Sequence, residues 1–233
     1  METDNITPMS VGEIVARDFR TASIFKNNRI DFCCGGKKSL EETCLELGID
    51  QEKVELELSA LSATPRNAGQ DYRSWSPGFL SDFIVNTHHQ YVLQTLPDLL
   101  IYTQKIAAVH GSHHPELIEV ATLFAKINDE LLQHLQKEEE VLFPAIKHVI
   151  KHNDSESKEL IVSEIARMAE EHEFAGGAMD RINQITGHYN LPEDSCGTYQ
   201  VTFKLLEQFE DDLHVHVHLE NNILYPAALK LAN

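Results

Sequence analysis

Two stretches of the chain carry the same order of chemical groups. His134 is followed four residues on by Glu138, then by Leu142, Phe143 and Pro144; His216 is followed by Glu220, then by Leu224, Tyr225 and Pro226. An acid precedes each His by four residues, Glu130 in one stretch and Asp212 in the other. On an α-helix, positions i and i+4 share a face, so each stretch sets an imidazole beside a carboxylate. Two such pairs turned toward each other make a site of nitrogen and oxygen ligands, which suits iron, manganese or zinc.

Two further histidines fit the same scheme. His88 and His172 are separated by nearly the same interval as His134 and His216, as if one helical hairpin were used twice. Each hairpin then contributes one His from its first helix and a His–Glu pair from its second. Four His and two Glu can bind two metal ions, with two His on each ion and both carboxylates bridging. Room remains for an oxo, hydroxo or exogenous ligand, the half-open arrangement typical of non-haem iron. A single His-x3-Glu is ordinarily a pair of solvated side chains. Two matched copies with histidines at repeat spacing argue for a site.

The assignment leaves alternatives within it. His214 and His218 form another i, i+4 pair, pointing away from His216 and read as solvated; only His216 has both an acid before it and Glu220 after it. His89 stands beside His88 and is ambiguous. Glu130 and Asp212 are placed to orient a ligand imidazole through its second nitrogen or to relay protons. Glu139 and Glu140 read as solvated.

The elements that must position these groups divide the chain. All 13 His lie between His88 and His218. The His-free part, residues 1–62, reads as a small helical domain. Its first helix runs from Val11 to about Lys26. A loop follows at Asp31-Phe-Cys-Cys-Gly-Gly36. A second helix is opened by the capping box of Ser39 and Glu42 and stops near Gly48, and a third is capped by Asp50. Residues 63–76, rich in Pro, Gly, Asn and Ser, read as a linker. Residues 77–233 read as four long helices: Ser76-Pro77 to about Val109, kinked at Pro97; Pro115 to about His152, bent or ended near Pro144; Glu156 to Thr186; and one from the Leu191–Gly197 loop to the C-terminus. The predicted fold is all-α, a small N-terminal domain followed by an up-down four-helix bundle.

Composition excludes several classes. With 19 basic against 37 acidic residues and a net charge of −18, the chain lacks the basic face that nucleic acid or an anionic membrane requires. No apolar run of membrane-spanning length and no basic-then-apolar leader is present, which predicts a soluble, cytoplasmic protein. The cysteines are Cys33, Cys34, Cys44 and Cys196, a poor disulfide framework and a sign of a reducing compartment. Cys44 and Cys196 read as structural residues. Cys33 and Cys34, on a Gly-Gly loop that should expose them, are candidate redox thiols or transient acceptors.

With these residues in view, the chain resembles the repair-of-iron-centres proteins, the iron–sulfur cluster repair di-iron family. Asp31-Phe-Cys-Cys-Gly-Gly-Lys37 is similar to that family's short Cys-bearing domain. The bundle resembles a hemerythrin-like domain through the His134 and His216 stretches and Glu171-His172-Glu173. The resemblance implies two iron ions, oxo- or hydroxo-bridged and carboxylate-bridged, on His88, His134, Glu138, His172, His216 and Glu220. It also implies a cytoplasmic stress role in restoring iron–sulfur proteins damaged by nitrosative or oxidative stress, with NO or O2 as small ligands, a thiol role for Cys33 and Cys34, and a homodimer. A hemerythrin-type carrier or sensor of O2 or NO is the competing reading, and a metal that only braces the bundle is a third. A reversible O2 adduct, release of iron or reaction with NO, and inertness to both separate the three.

Overall fold

The computed structural model describes residues 9–62 and 71–233. The small domain packs four helices around Val11, Val15, Phe25, Leu40, Val54 and Leu58: α1 (Val11–Arg17), α2 (Ala22–Asn27), α3 (Leu40–Leu47) and α4 (Gln51–Ser62). Capping boxes at Ser10–Glu13 and Ser39–Glu42 open α1 and α3, each satisfying two otherwise unpaired backbone groups. Gly48 closes α3 in the left-handed conformation, at φ 65°. The single helix expected from Val11 to Lys26 is broken at Asp18. Asp18 has an extended backbone and caps the 3-10 turn Phe19–Thr21 through the Arg20 amide. Most of the expected linker, residues 63–70, lies outside the described residues. Its last part is a packed segment instead: Tyr72 and Trp75 stack edge-on and both meet Phe83.

Four rods build the bundle. The first joins α5 (Pro77–Ile84) to α6 (Gln90–His110), and the second joins α7 (Glu116–Lys137) to α8 (Phe143–His152). The third is α9 (Ser155–Ile185), and the fourth joins α10 (Gly197–Leu219) to α11 (Tyr225–Ala232). Helix α6 packs on α7, α7 on α9, α9 on α10, and α10 back on α6, which closes the ring. Pro97 is carried inside α6 without ending it.

The joint beside Pro144 was expected, while those in the first and fourth rods were not. Three rods contain one turn of π-helix, at Val85–His89, Glu138–Leu142 and Glu220–Leu224. A π turn inserts a residue and rotates the rest of the rod about its axis; such turns cluster at functional sites. The candidate site residues fall in or beside all three. They separate two apolar clusters, one around Val92, Phe124, Leu131, Met179, Phe209 and Val217, the other around Ile84, Leu142, Ile146, Met168 and Leu224.

The small domain docks through α1 against α10 and the last π turn. Within the small domain, backbone comes close enough to require glycine: a Cβ on Gly36 would lie 2.4 Å from the Phe32 carbonyl oxygen and 3.1 Å from Gly12 Cα. Gly36→Ala is expected to cost about 1–3 kcal/mol, the range for forcing atoms into a full space. Gly177→Ala, on α9 with nothing within 4 Å of the added carbon, is expected to be neutral or to stabilise by about 1 kcal/mol. Urea titration of both variants checks the contrast, and equal midpoints would contradict it.

Candidate metal centre

Six ionisable side chains meet in the gap between the two apolar clusters. The second rod contributes His134 and Glu138, the fourth His216 and Glu220, the third His172 and the first His89. All six are at most 2% exposed. They form two overlapping groups, His89–Glu138–His216–Glu220 and His134–Glu138–His172–Glu220, with ligand atoms in each group within 4.8 Å of one another. Both carboxylates belong to both groups.

The rings present their Nε2 atoms inward. His216 Nε2 is 2.9 Å from Glu220 Oε1, and His172 Nε2 is 3.1 Å from Glu220 Oε2. His89 and His134 bring Nε2 to 3.3 and 3.4 Å from Glu138 Oε2. His134 Nε2 and His172 Nε2 face each other at 3.1 Å. His89 Nε2, Glu138 Oε2 and Glu220 Oε2 are buried without a hydrogen-bond partner among the described residues. Unsatisfied donors and acceptors aimed at a common centre cost free energy unless a cation or protons occupy it. Two nitrogens and shared carboxylate oxygens in each group fit a divalent ion of intermediate hardness.

The outer nitrogens explain the aim. His89 Nδ1 donates to Glu139 at 2.8 Å, His134 Nδ1 to Glu171 at 2.9 Å, and His172 Nδ1 to Asn221 Oδ1 at 3.0 Å. Each bond fixes the tautomer that leaves Nε2 free to bind. Lys137 holds Glu171 from the other side at 2.5 Å, and His134 with Lys137 lowers the Glu171 carboxyl to about 2. His216 Nδ1 has no partner among the described residues; its ring is instead stacked on His88, 5.6 Å away and 8° from parallel.

The charge balance of the six is internal. Burial pulls the His89 imidazole down, but the carboxylates of Glu138 and Glu220 beside its Nε2 outweigh it and raise it to about 10. His172 follows the same course, burial against Glu220 chiefly, to about 9. His216 is lowered by burial, and Glu220 ends well below its usual value because the surrounding imidazoles overcome its desolvation. Protons thus stand where cations would.

Several expected residues occupy other places. The structure brings His89, not His88, into the six; His88 Nδ1 bonds Asp212 at 2.9 Å and its ring covers His216. The π turn at Val85–His89 is the reason, since the added residue rotates His89 into the direction a regular helix would give His88. Asp212 therefore meets His88 rather than orienting His216. Glu130 is exposed, and Glu171 takes the role expected of it at His134. Glu139, expected in solvent, serves His89. His218, also expected in solvent, is fully buried under Phe32 of the small domain, and burial lowers it to about 4. One signal for His89 was present: its interval to His134 is closer than that of His88 to the interval between His172 and His216.

The thiol loop lies against the same helices. The Asp31 carboxylate accepts the amides of Cys33, Cys34 and Gly35 at 2.7, 3.2 and 2.6 Å. Cys33 is buried, not exposed as expected; its thiol is raised well above the ordinary range by Cys34, by burial and by Asp31. Cys34 Sγ lies 3.8 Å from Cys33 Sγ and donates to the His172 carbonyl at 3.4 Å. Gly176, one turn on, leaves the space that Cys34 fills. Asn221 and Asn222 follow Glu220 directly: the first holds His172, and the second donates to the Phe32 and Cys33 carbonyls. Cys196, expected as a structural residue, is exposed, 3.2 Å from His110 Nε2.

Residues 82–228 match the family described as hemerythrin HHE cation binding domain, and residues 7–62 match a domain of unknown function, DUF542. The chain is 32% identical over 221 residues to the iron-sulfur cluster repair protein YtfE of Yersinia pestis (strain Pestoides F), which covers 95% of this chain and 96% of that protein. The protein of the same name from Yersinia pseudotuberculosis serotype O:1b (strain IP 31758) matches with equal identity and coverage. No helix among the described residues is long and apolar enough to cross a membrane.

This geometry makes the choice of histidine testable. His89→Ala is expected to lower the number of bound metal ions per chain while His88→Ala leaves it unchanged; elemental analysis checks this, and the opposite order would return the role to His88. The protons of the centre are testable too. His89 and His172 are raised from 6.5 to about 10 and about 9, so their stabilisation of the metal-free protein is complete below pH 6.5 and lost as pH rises through those values. The melting temperature of chelator-treated protein should fall between pH 6.5 and 10, and metal uptake at pH 7 should release ~2 protons per chain. A flat melting curve over that range with no proton release would contradict the charge balance.

Proposed function

The chain belongs to the iron–sulfur cluster repair protein family, and from that premise we propose that it restores damaged iron–sulfur clusters from a resident pair of iron ions. The observation that carries the proposal is the convergence of four buried imidazole Nε2 atoms on two buried carboxylates shared between them. His89 and His216 would hold one ion and His134 and His172 the other, with Glu138 and Glu220 bridging. When bound, the irons supply exchangeable, redox-active cations with a position open to NO or O2.

The chain's own groups determine how such a pair behaves. Glu139, Glu171 and Asn221 hold the outer nitrogens of three rings, so that Nε2 of each faces the centre and can exchange its proton for a cation. The apolar clusters above and below exclude water from the site, which strengthens every charge interaction inside it. The Cys33–Cys34 loop sits on the carbonyl of His172, so the thiols and the centre share one helix. In this docked position Cys33 is a thiol and not a nucleophilic thiolate. Damaged iron–sulfur proteins are the proposed partners, and the proposed setting is the cytoplasm under nitrosative or oxidative stress, with the chain as a homodimer.

The test is reconstitution. Iron-loaded protein is mixed without air with a client enzyme whose cluster has been damaged by NO, and client activity and iron content are followed. Recovery of the client with loss of iron or consumption of NO is expected. A stable, reversible O2 adduct with no recovery would overturn repair in favour of a carrier. Replacing Cys33 and Cys34 together by Ser is expected to preserve the visible spectrum of the iron-loaded protein and to impair recovery; loss of the spectrum would mean that the thiols ligate metal.

A further inference from the structure

The two halves of the centre are related by the internal repeat, and one oxygen atom breaks that relation. In the second rod, Phe143 lays its ring on His89, 5.7 Å away and 23° from parallel. In the fourth rod, Tyr225 holds the matching position and lays its ring on His172, 5.9 Å away and 2° from parallel. Phe143 carries no polar atom. The Tyr225 hydroxyl, buried with the rest of its side chain, donates to Glu138 Oε1 at 2.5 Å.

The two carboxylates consequently face the histidines differently. Glu220 splits its oxygens, Oε1 toward His216 at 2.9 Å and Oε2 toward His172 at 3.1 Å. Glu138 has only Oε2 free, and that atom stands between His89 and His134 at 3.3 and 3.4 Å, one histidine from each group. We infer that Tyr225 is a positioning residue that makes the two bridges unlike: its bond to Glu138 Oε1 holds that carboxylate with Oε2 turned toward both halves of the site, while Glu220 turns one oxygen to each. This rests on the reading that both carboxylates hold a metal pair. Its consequence is electronic. A hydrogen bond to a carboxylate draws electron density from it, weakens it as a ligand and favours the less charged, reduced ions.

Tyr225→Phe removes the hydroxyl and keeps the ring on His172. The experiment compares wild-type and Y225F protein loaded with iron, by iron analysis, by redox titration and by the infrared carboxylate bands. Two irons per chain in both proteins, with a lower midpoint potential and shifted carboxylate bands in Y225F, are expected. Two irons in both with potential and bands unchanged would overturn the inference. A folded Y225F protein that binds fewer irons, judged by a cooperative melt, would overturn it as well, because the hydroxyl would then be needed to retain Glu138 and not to divide its oxygens. Fewer than two irons in the wild-type protein would instead sink the metal-pair reading beneath it.

Discussion

Six ionisable groups with almost no exposure to water share one small volume, and that is the constraint on which the rest of this molecule depends. Removing a charged group from water costs several kcal/mol even after relaxation, and only close, well-aimed partners offset it. Here the partners are each other: four imidazoles around two carboxylates, with two ring nitrogens 3.1 Å apart. Without cations the arrangement is tolerable only because raised histidines retain protons beside a carboxylate held ionised. Cations can replace those protons with no rearrangement of the ring positions, since three of the rings are already fixed through their outer nitrogens.

The helices are built around this requirement. A regular α-helix satisfies its own backbone and leaves little freedom in where a side chain points. Three rods gain that freedom from one π turn each, placed at His88–His89, Glu138 and Glu220. Apolar packing on both sides repays the local loss of regular hydrogen bonding. The turn beginning at Glu220 has three duties in successive residues: a carboxylate for the centre, Asn221 for His172, and Asn222 for the loop that carries Cys33 and Cys34. The thiol loop and the centre are therefore joined by three consecutive residues and by the contact of Cys34 with the His172 carbonyl.

Much of this was legible in the sequence. The matched His-x3-Glu stretches, the capping boxes and the His-free first sixty residues pointed to an all-α fold with a small domain before a bundle. Four of the expected histidines and glutamates of the second and fourth rods, with His172, come together as their spacing implied. What was not legible has a common physical origin. A period of 3.6 residues cannot register an inserted residue, so the choice between His88 and His89 fell one residue short. The supports of the imidazoles, Glu171 from the third rod and Glu139 from the second, are set by how rods pack, and sequence distance carries no trace of that. Asp212 does support a histidine, but the one that covers His216. His218 and Cys33 looked exposed because nothing in their local sequence tells that the small domain closes over them.

The central claim is that two irons lie between these six side chains and that the thiols stand outside their coordination. X-ray absorption of the iron-loaded protein tests it most directly. Nitrogen and oxygen neighbours alone, with a second iron at about 3.5 Å, are expected. A sulfur neighbour, or iron with no iron near it, would contradict the account.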